Sequence, residues 1–206
     1  MEIQRVTRHL DAQMVEQAYR EGIFPMADIE LGIVTWHRPR RRAVLPLESF
    51  HISRSLARRL RRGGFSVTFD RDFRGVMVAC AERKPTWISD EFLTVYGELH
   101  ARRKAHSVEV WVDGTLAGGV YGVHLGGAFF AESKFHRVTD MSKVALAHLV
   151  GRLRERGFAL LEVQYVTEHL EQFGVIELSH REYLRRLDLA LGLECSFGES
   201  ADPANH

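Results

Sequence analysis

The spacing of hydrophobic and polar positions changes several times along the chain, and each change marks an element. From Asp11 to Gly22, Val15, Ala18 and Tyr19 share one face at helical spacing, with Asp11 placed as N-cap and Gly22 as stop. Residues 23–50 carry no helical period and are punctuated by Pro25, Pro39 and Pro46, so they read as loop and strand. SRSLARRLRRGG predicts a short helix between Ser53, its N-cap, and Gly63. FSVTFD reads as a strand, and Asp72 caps a helix that turns Phe73, Val76, Met77 and Cys80 to one side. Another helix runs from about Ser89 to Lys104 and buries Phe92, Tyr96 and Leu99.

The second half is more regular. Val108, Val110 and Val112 alternate with polar or amphipathic residues, and Asp113-Gly114 is a type I′ hairpin signal. A second strand passes through Tyr121 and Val123, and Gly126-Gly127 turns the chain into AFFAE, completing a three-stranded antiparallel meander. A long helix follows from Thr139 or Asp140 to Arg156, ended by Gly157, and ALLEVQY reads as a buried strand. EHLEQFG is a short helix closed by Gly174, VIEL a strand, and Ser179-x-x-Glu182 a capping box that opens a last helix to about Leu191. A loose tail is expected after Gly192. The order β-β-β-α-β-α-β, with parallel and antiparallel pairing mixed, describes an α+β fold. The expected division is a small N-terminal α/β domain at residues 1–62 and an acetyltransferase-like (GNAT-like) mixed-sheet domain at 63–206, parted at Gly63-Gly64.

Composition narrows the class. With 206 residues, 45% of them hydrophobic, the chain can bury a sizeable core. No apolar run approaches the ~20 residues of a membrane span, and MEIQRVTRHLDAQ lacks a signal peptide's hydrophobic stretch, so a cytoplasmic protein without a membrane partner is expected. Cys80 and Cys195 stand far apart, which leaves neither a disulfide framework nor a zinc ribbon, and Cys80 reads as a core residue.

The formal net charge of +1 hides an uneven distribution. Between Arg38 and Arg62, nine arginines are opposed by Glu48 alone. Helical spacing puts Arg54, Arg58, Arg61 and Arg62 on one face, which suits phosphate oxygens; a solvated face, or a partner for acidic residues elsewhere, accounts equally well for the composition.

Several chemistries are missing: there is no Gly-x-Ser-x-Gly elbow, Gly-Lys-Ser/Thr phosphate loop, His-Glu-x-x-His or dinucleotide fingerprint. Eleven histidines are scattered without metal spacing, so no metal centre is expected. Coenzyme A-dependent acetyltransferases cradle pyrophosphate on a glycine-rich turn after the meander, whereas ESKFHRVTDMSK contains no glycine, and no cofactor is expected.

AYREGIFPM, HISRSL, the Thr-Trp-Ile of PTWISDEF, AHSVEVW, GGVYGV, AESKFHR, MSKVAL, the Gln of LEVQYVTEHL and REYL, taken in order, resemble the motifs of the leucyl/phenylalanyl-tRNA–protein transferase family over residues 16–187. The resemblance implies that leucine or phenylalanine, with methionine as a further apolar donor, passes from aminoacyl-tRNA to proteins with N-terminal Arg or Lys, marking them for N-degron degradation. An aminoacyl ester is already activated, so such an enzyme needs positioning, a proton acceptor and oxyanion stabilisation rather than ATP or a metal.

By motif position, Trp36 and Trp87 resemble the family's tryptophans around the terminal adenosine, and Val120 and Phe129 the lining of the pocket for the transferred side chain. Glu132 and Ser133 match a Glu-Ser pair that would receive the acceptor's cationic N-terminus or its Arg/Lys side chain. Gln164 matches a glutamine at the reacting amine, with Glu162 as its acidic partner; on one strand the two project to the same side. The amide would then orient the amine or the oxyanion while the proton leaves through the carboxylate, a water or the ribose 2′-hydroxyl. The face of Arg54, Arg58, Arg61 and Arg62 would hold tRNA.

The chain departs from the family in four places: Glu162 stands for the usual Asp, Lys134 for a Met, WHRPRRR for an acid-containing loop, and Thr167 for an Asn or other polar residue. Lys134 pointing inward would admit an acidic donor side chain; snorkelling outward, the favoured expectation, it would keep the preference apolar. The competing readings are a coenzyme A-dependent N-acyltransferase and a non-catalytic tRNA-binding module.

Overall fold

The computed structural model describes residues 2–198. Strands β1 (Glu2–Thr7), β2 (Phe24–Asp28) and β3 (Ile33–Arg38) form a small sheet in the order β1-β3-β2, with helix α1 (Ala12–Arg20) between β1 and β2. The large sheet takes β4 (Arg41–Val44), β5 (Ser66–Phe69), the meander β6 (Ala105–Val112), β7 (Thr115–Leu125) and β8 (Ala128–His136), then β9 (Leu160–Glu162) and β10 (Ile176–Ser179). Its order is β10-β4-β9-β8-β7-β6-β5, antiparallel throughout except for the parallel pair β8–β9. This is the α+β mixed sheet that the element order described. The meander turns where Asp113 and Gly114 take φ of 50° and 74°, as a type I′ turn requires.

Helix α2 (Arg54–Arg62) starts at Ser53, whose hydroxyl accepts the Leu56 N–H; α3 (Phe73–Ala81) and α4 (Asp90–Ala101) are capped in the same way by Asp72 and Ser89. Helices α5 (Met141–Glu155), α6 (Glu168–Glu171) and α7 (His180–Leu191) follow the meander. None of the helices among the described residues is long and apolar enough to cross a membrane.

The two sheets part between Arg38 and Arg41, well before Gly63-Gly64. The reason lies in β4: Arg42, Ala43 and Val44 are all buried, and their strand completes its hydrogen bonds between β10 and β9 of the large sheet. Strand β1 had no sequence signal because its residues are almost all exposed.

The large sheet buries both faces. On one, Val108, Val110, Val120 and Phe129 meet Val144, Leu149 and Leu153 of α5 and Leu56 of α2. On the other, Tyr121, Val123 and Phe130 meet Tyr19 of α1, Val76, Met77 and Cys80 of α3, Phe92, Tyr96 and Leu99 of α4, and Tyr183 and Leu187 of α7. Cys80 is a free, buried thiol. The chain after Gly192 is not loose as far as it is described: Phe197 is buried and stacks on His106 at 4.5 Å, its apolar ring filling the edge of the core. Residues 199–206 lie outside the described part.

Strands β8 and β9 pair only at Ala128–Leu160, Phe129–Leu161 and Phe130–Glu162, and then separate. Just there β8 bulges: Ala131 faces Gly122 and Ser133 faces Tyr121, leaving Glu132 as the extra residue. Gly122 is required, since a Cβ there would lie 2.2 Å from the Phe130 carbonyl oxygen. Parting parallel strands open a crevice at their C-terminal ends, where open sheets hold ligands.

Candidate active site

The crevice is a cavity of about 360 Å³. Val120, Ala131, Glu132, Ser133 and Lys134 line it from the meander, Val163, Gln164 and Thr167 from the segment after β9, and Arg83 and Trp87 from the loop before α4. Phe24, Pro25 and Met26 close it from the small sheet, and Leu146 and Leu170 form an apolar floor. A larger cavity of about 950 Å³, bordered by Arg71, His100, His106 and Phe197, contains none of the residues expected at the site.

Glu132 is the carboxylate of this cavity, and it is almost enclosed. Its Oε1 accepts the Tyr19 hydroxyl from α1 and, at 3.2 Å, the side-chain N–H of Gln164. Tyr96 of α4 stands 3.2 Å from the Tyr19 hydroxyl. Burial pushes the Glu132 carboxyl from 4.5 up to about 8, helped by repulsion from Glu162 and opposed by Tyr19 and Arg42. A carboxyl in that range exchanges protons near neutral pH.

Glu162 is placed differently from what its spacing suggested. It is wholly buried and pairs at 3.3 Å with Arg42, which is equally buried. Arg42 also donates to the Gly22 carbonyl and lies over the Tyr183 ring at 4.7 Å. Burial raises the Glu162 carboxyl, against the pull of Arg42 and of the Gln164 amide. Glu162 and Gln164 do not project side by side from one strand, because β9 ends at Glu162 and Gln164 turns to a left-handed φ of 56°. The cause is local: the Glu162 carboxylate captures the Gln164 backbone N–H at 2.7 Å, while Ala43 of β4 exchanges backbone bonds with Val163 and Gln164. Gln164 thereby swings its amide to Glu132, and Glu162 positions it without entering the cavity.

Trp87, Val120, Glu132, Ser133 and Gln164 thus come together. Trp36 and Phe129 do not. Trp36 is fully enclosed in the small sheet, donating to the Thr7 hydroxyl at 3.0 Å with Arg5 stacked 4.3 Å from its ring, so it offers no face to a base. Phe129 is buried against Phe158 and Phe197 and does not line the cavity. Lys134 does not snorkel away but is part of the wall. Burial lowers its pKa, and its side chain makes no hydrogen bond or ion pair among the described residues.

The basic block divides in two. Arg40 pairs with Glu2, Arg41 with Glu177 and Arg42 with Glu162. On α2, Arg54, Arg58, Arg61 and Arg62 are exposed and form no ion pair among the described residues, whereas Arg59 folds back to the Gly63 carbonyl and over Phe65. The exposed face is the one that helical spacing selected.

Tyr19, Tyr96, Arg42, Arg83 and the Phe24-Pro25-Met26 segment were not named as site residues from the sequence. Tyr19 was read as a core residue of its helix, which it is; that its hydroxyl reaches Glu132 depends on α1 crossing to the large sheet. In the turn before α5, Asp140 caps the helix at φ 70°, and its carboxylate sits 2.9 Å from Lys143.

Comparison with known proteins supplies the family. Residues 44–188 match the family described as leucyl/phenylalanyl-tRNA protein transferase, and residues 8–40 match the N-terminal domain of the same family. A leucyl/phenylalanyl-tRNA–protein transferase of Salinibacter ruber (strain DSM 13855 / M31) is 52% identical over 193 residues, 94% of this chain and 85% of the relative. One from Gloeobacter violaceus (strain ATCC 29082 / PCC 7421) is 49% identical over 188 residues, 91% of this chain and 97% of the relative. A ribosomal-protein-alanine N-acetyltransferase from Brucella melitensis biovar Abortus 2308 superposes with a TM-score of 0.39 at 19% identity, covering 52% of this chain and 84% of that one. With its two matched segments spanning both sheets, the chain belongs to the leucyl/phenylalanyl-tRNA–protein transferase family.

Proposed function

We propose that this enzyme transfers leucine or phenylalanine, with methionine as a further apolar donor, from aminoacyl-tRNA to the α-amino group of proteins that begin with Arg or Lys, marking them for degradation. The observation that carries the reading is the Glu132–Gln164 couple facing an apolar wall of Val120, Ala131 and Leu146 in a chain of this family.

The exposed arginines of α2 hold phosphates of the tRNA, and Trp87 stacks on the terminal adenine, a contact worth about 1–3 kcal/mol. The donor side chain enters the apolar wall. The acceptor arrives as an α-ammonium, whose ordinary pKa of about 7.7–8.0 matches Glu132 at about 8. Proton transfer from ammonium to Glu132 is then nearly isoergic, whereas to an ordinary carboxylate it would be uphill by about 4–5 kcal/mol. Gln164 donates its amide N–H to Glu132, which leaves its amide oxygen to accept an N–H of the amine and aim the lone pair. Glu132 releases this first proton to solvent and the amine forms the C–N bond to the ester carbonyl; Glu132 then takes the second proton from the nitrogen, the C–O bond to the ribose breaks and that proton passes to the leaving oxygen, so that one proton is released overall. Glu162 and Arg42 keep Gln164 in its left-handed turn throughout.

The test is incubation of the purified protein with Leu-tRNA or Phe-tRNA and an Arg-initiated peptide. Extended peptide is expected; no product from either donor, while a known transferase works alongside, overturns the reading.

A further inference from the structure

The wall that carries Glu132 also carries two cations. Lys134 stands two residues further along β8, directly across from Val120 of β7, and Arg83 approaches from the loop after α3; both line the cavity. Neither side chain has a hydrogen bond or ion pair among the described residues, and Arg83 is one of the groups that lower the Lys134 pKa.

The nearby titratable groups do not neutralise them. Glu132 is engaged by Tyr19 and Gln164 and is pushed up to about 8. Asp140 is held by Lys143 at 2.9 Å, and Glu82 is held by Arg137. His169 of α6 has its Nε2 buried without a partner and is pushed down to about 4, so it stays neutral. Cys80 is a buried thiol pushed up to about 12. Two like charges sharing a partly buried cavity repel, and enclosing an ammonium without a partner is unfavourable. A bound oxyanion would relieve both.

We propose that Lys134 and Arg83 form an oxyanion subsite of the donor cavity, which takes a phosphate at the 3′ end of the donor RNA. The assignment rests on the aminoacyl-tRNA reading above. Trp87 lies four residues after Arg83 on the same loop and faces the same cavity. A base stacked on Trp87 carries its 5′-phosphate one nucleoside away from the ester, and an aminoacyl-tRNA always brings that anion. An acidic donor side chain is a second source of the same chemistry.

The experiment is equilibrium binding, by calorimetry, of non-hydrolysable 3′-phenylalanylamino-adenosine with and without a 5′-phosphate. The wild type should bind the phosphorylated form about tenfold or more tightly. That advantage should fall below about threefold in Lys134→Met and in Arg83→Gln, with the unphosphorylated form bound alike by all three and Lys134→Arg retaining most of the advantage. A parallel arm uses the unphosphorylated analogue carrying glutamate instead of phenylalanine. If Lys134→Met weakens that analogue and leaves the phosphate increment intact, the subsite stands and the phosphate is overturned as its occupant. If neither anion responds to Lys134→Met or Arg83→Gln, the subsite itself is overturned. Since the readout is binding, adenosine and its 5′-monophosphate give the same increment whether or not transfer occurs, so failure here is separate from failure of the proposed activity.

Discussion

Replacing Glu132 by Gln keeps the shape of the side chain and removes its charge. In the folded protein burial holds this carboxyl at about 8 against 4.5 for the ordinary group. The folded state therefore binds the proton more tightly than the unfolded chain, and stability falls as pH rises from about 4.5 to about 8. With those two values the wild type loses about 1 kcal/mol to this group at pH 5.5 and about 4 kcal/mol at pH 8. The glutamine loses neither, and its amide oxygen still accepts from Tyr19. Urea unfolding at both pH values should show the stability of Glu132→Gln, relative to wild type, rising by about 3 kcal/mol between pH 5.5 and pH 8. A difference that stays flat with pH, or moves the other way, would refute the claim that Glu132 titrates in the neutral range. The stabilised variant should also be the less active one, as happens where a site holds a group at some cost to the fold.

Trp87→Ala should weaken binding of Phe-tRNA by about 1–3 kcal/mol with little change in unfolding midpoint, whereas Trp36→Phe should cost about 1–2 kcal/mol of stability and leave donor affinity unchanged. Changing Arg54, Arg58, Arg61 and Arg62 together to Gln should reduce the slope of log affinity for Phe-tRNA against log salt by about 3, measured between 50 and 200 mM salt. Gln164→Ala and Gln164→Gly should both lose transfer, but the glycine variant should be the more stable by about 1 kcal/mol, since only glycine takes φ of 56° without strain.

The sequence pattern carried the meander, the helices with their caps and the exposed arginine face, because each is decided within one or two turns of chain. Non-local pairing is what it could not carry. The alternation in ALLEVQY runs on past Glu162, but the strand stops there because Glu162 binds the next-but-one amide and β4, more than a hundred residues earlier, takes over the backbone bonds. Arg42 looked like one more member of a basic block; only its burial beside Glu162 separates it from Arg54 and Arg58. Trp36 and Trp87 are indistinguishable as residue types, and the difference between them is that β3 lies between β1 and β2, enclosing one, while a loop presents the other. Lys134 shows the same limit: a lysine next to apolar residues can snorkel or stay, and the parting of β8 from β9 gives it a cavity to face.

The central claim, that Glu132 takes the proton of the incoming amine, is tested most directly by single-turnover transfer of phenylalanine from Phe-tRNA to an Arg-initiated peptide at pH 8, comparing wild type with Glu132→Gln at saturating donor. The account predicts that the variant binds Phe-tRNA as tightly as wild type and transfers about 10²–10⁴-fold more slowly. Transfer by the variant at the wild-type rate would contradict it.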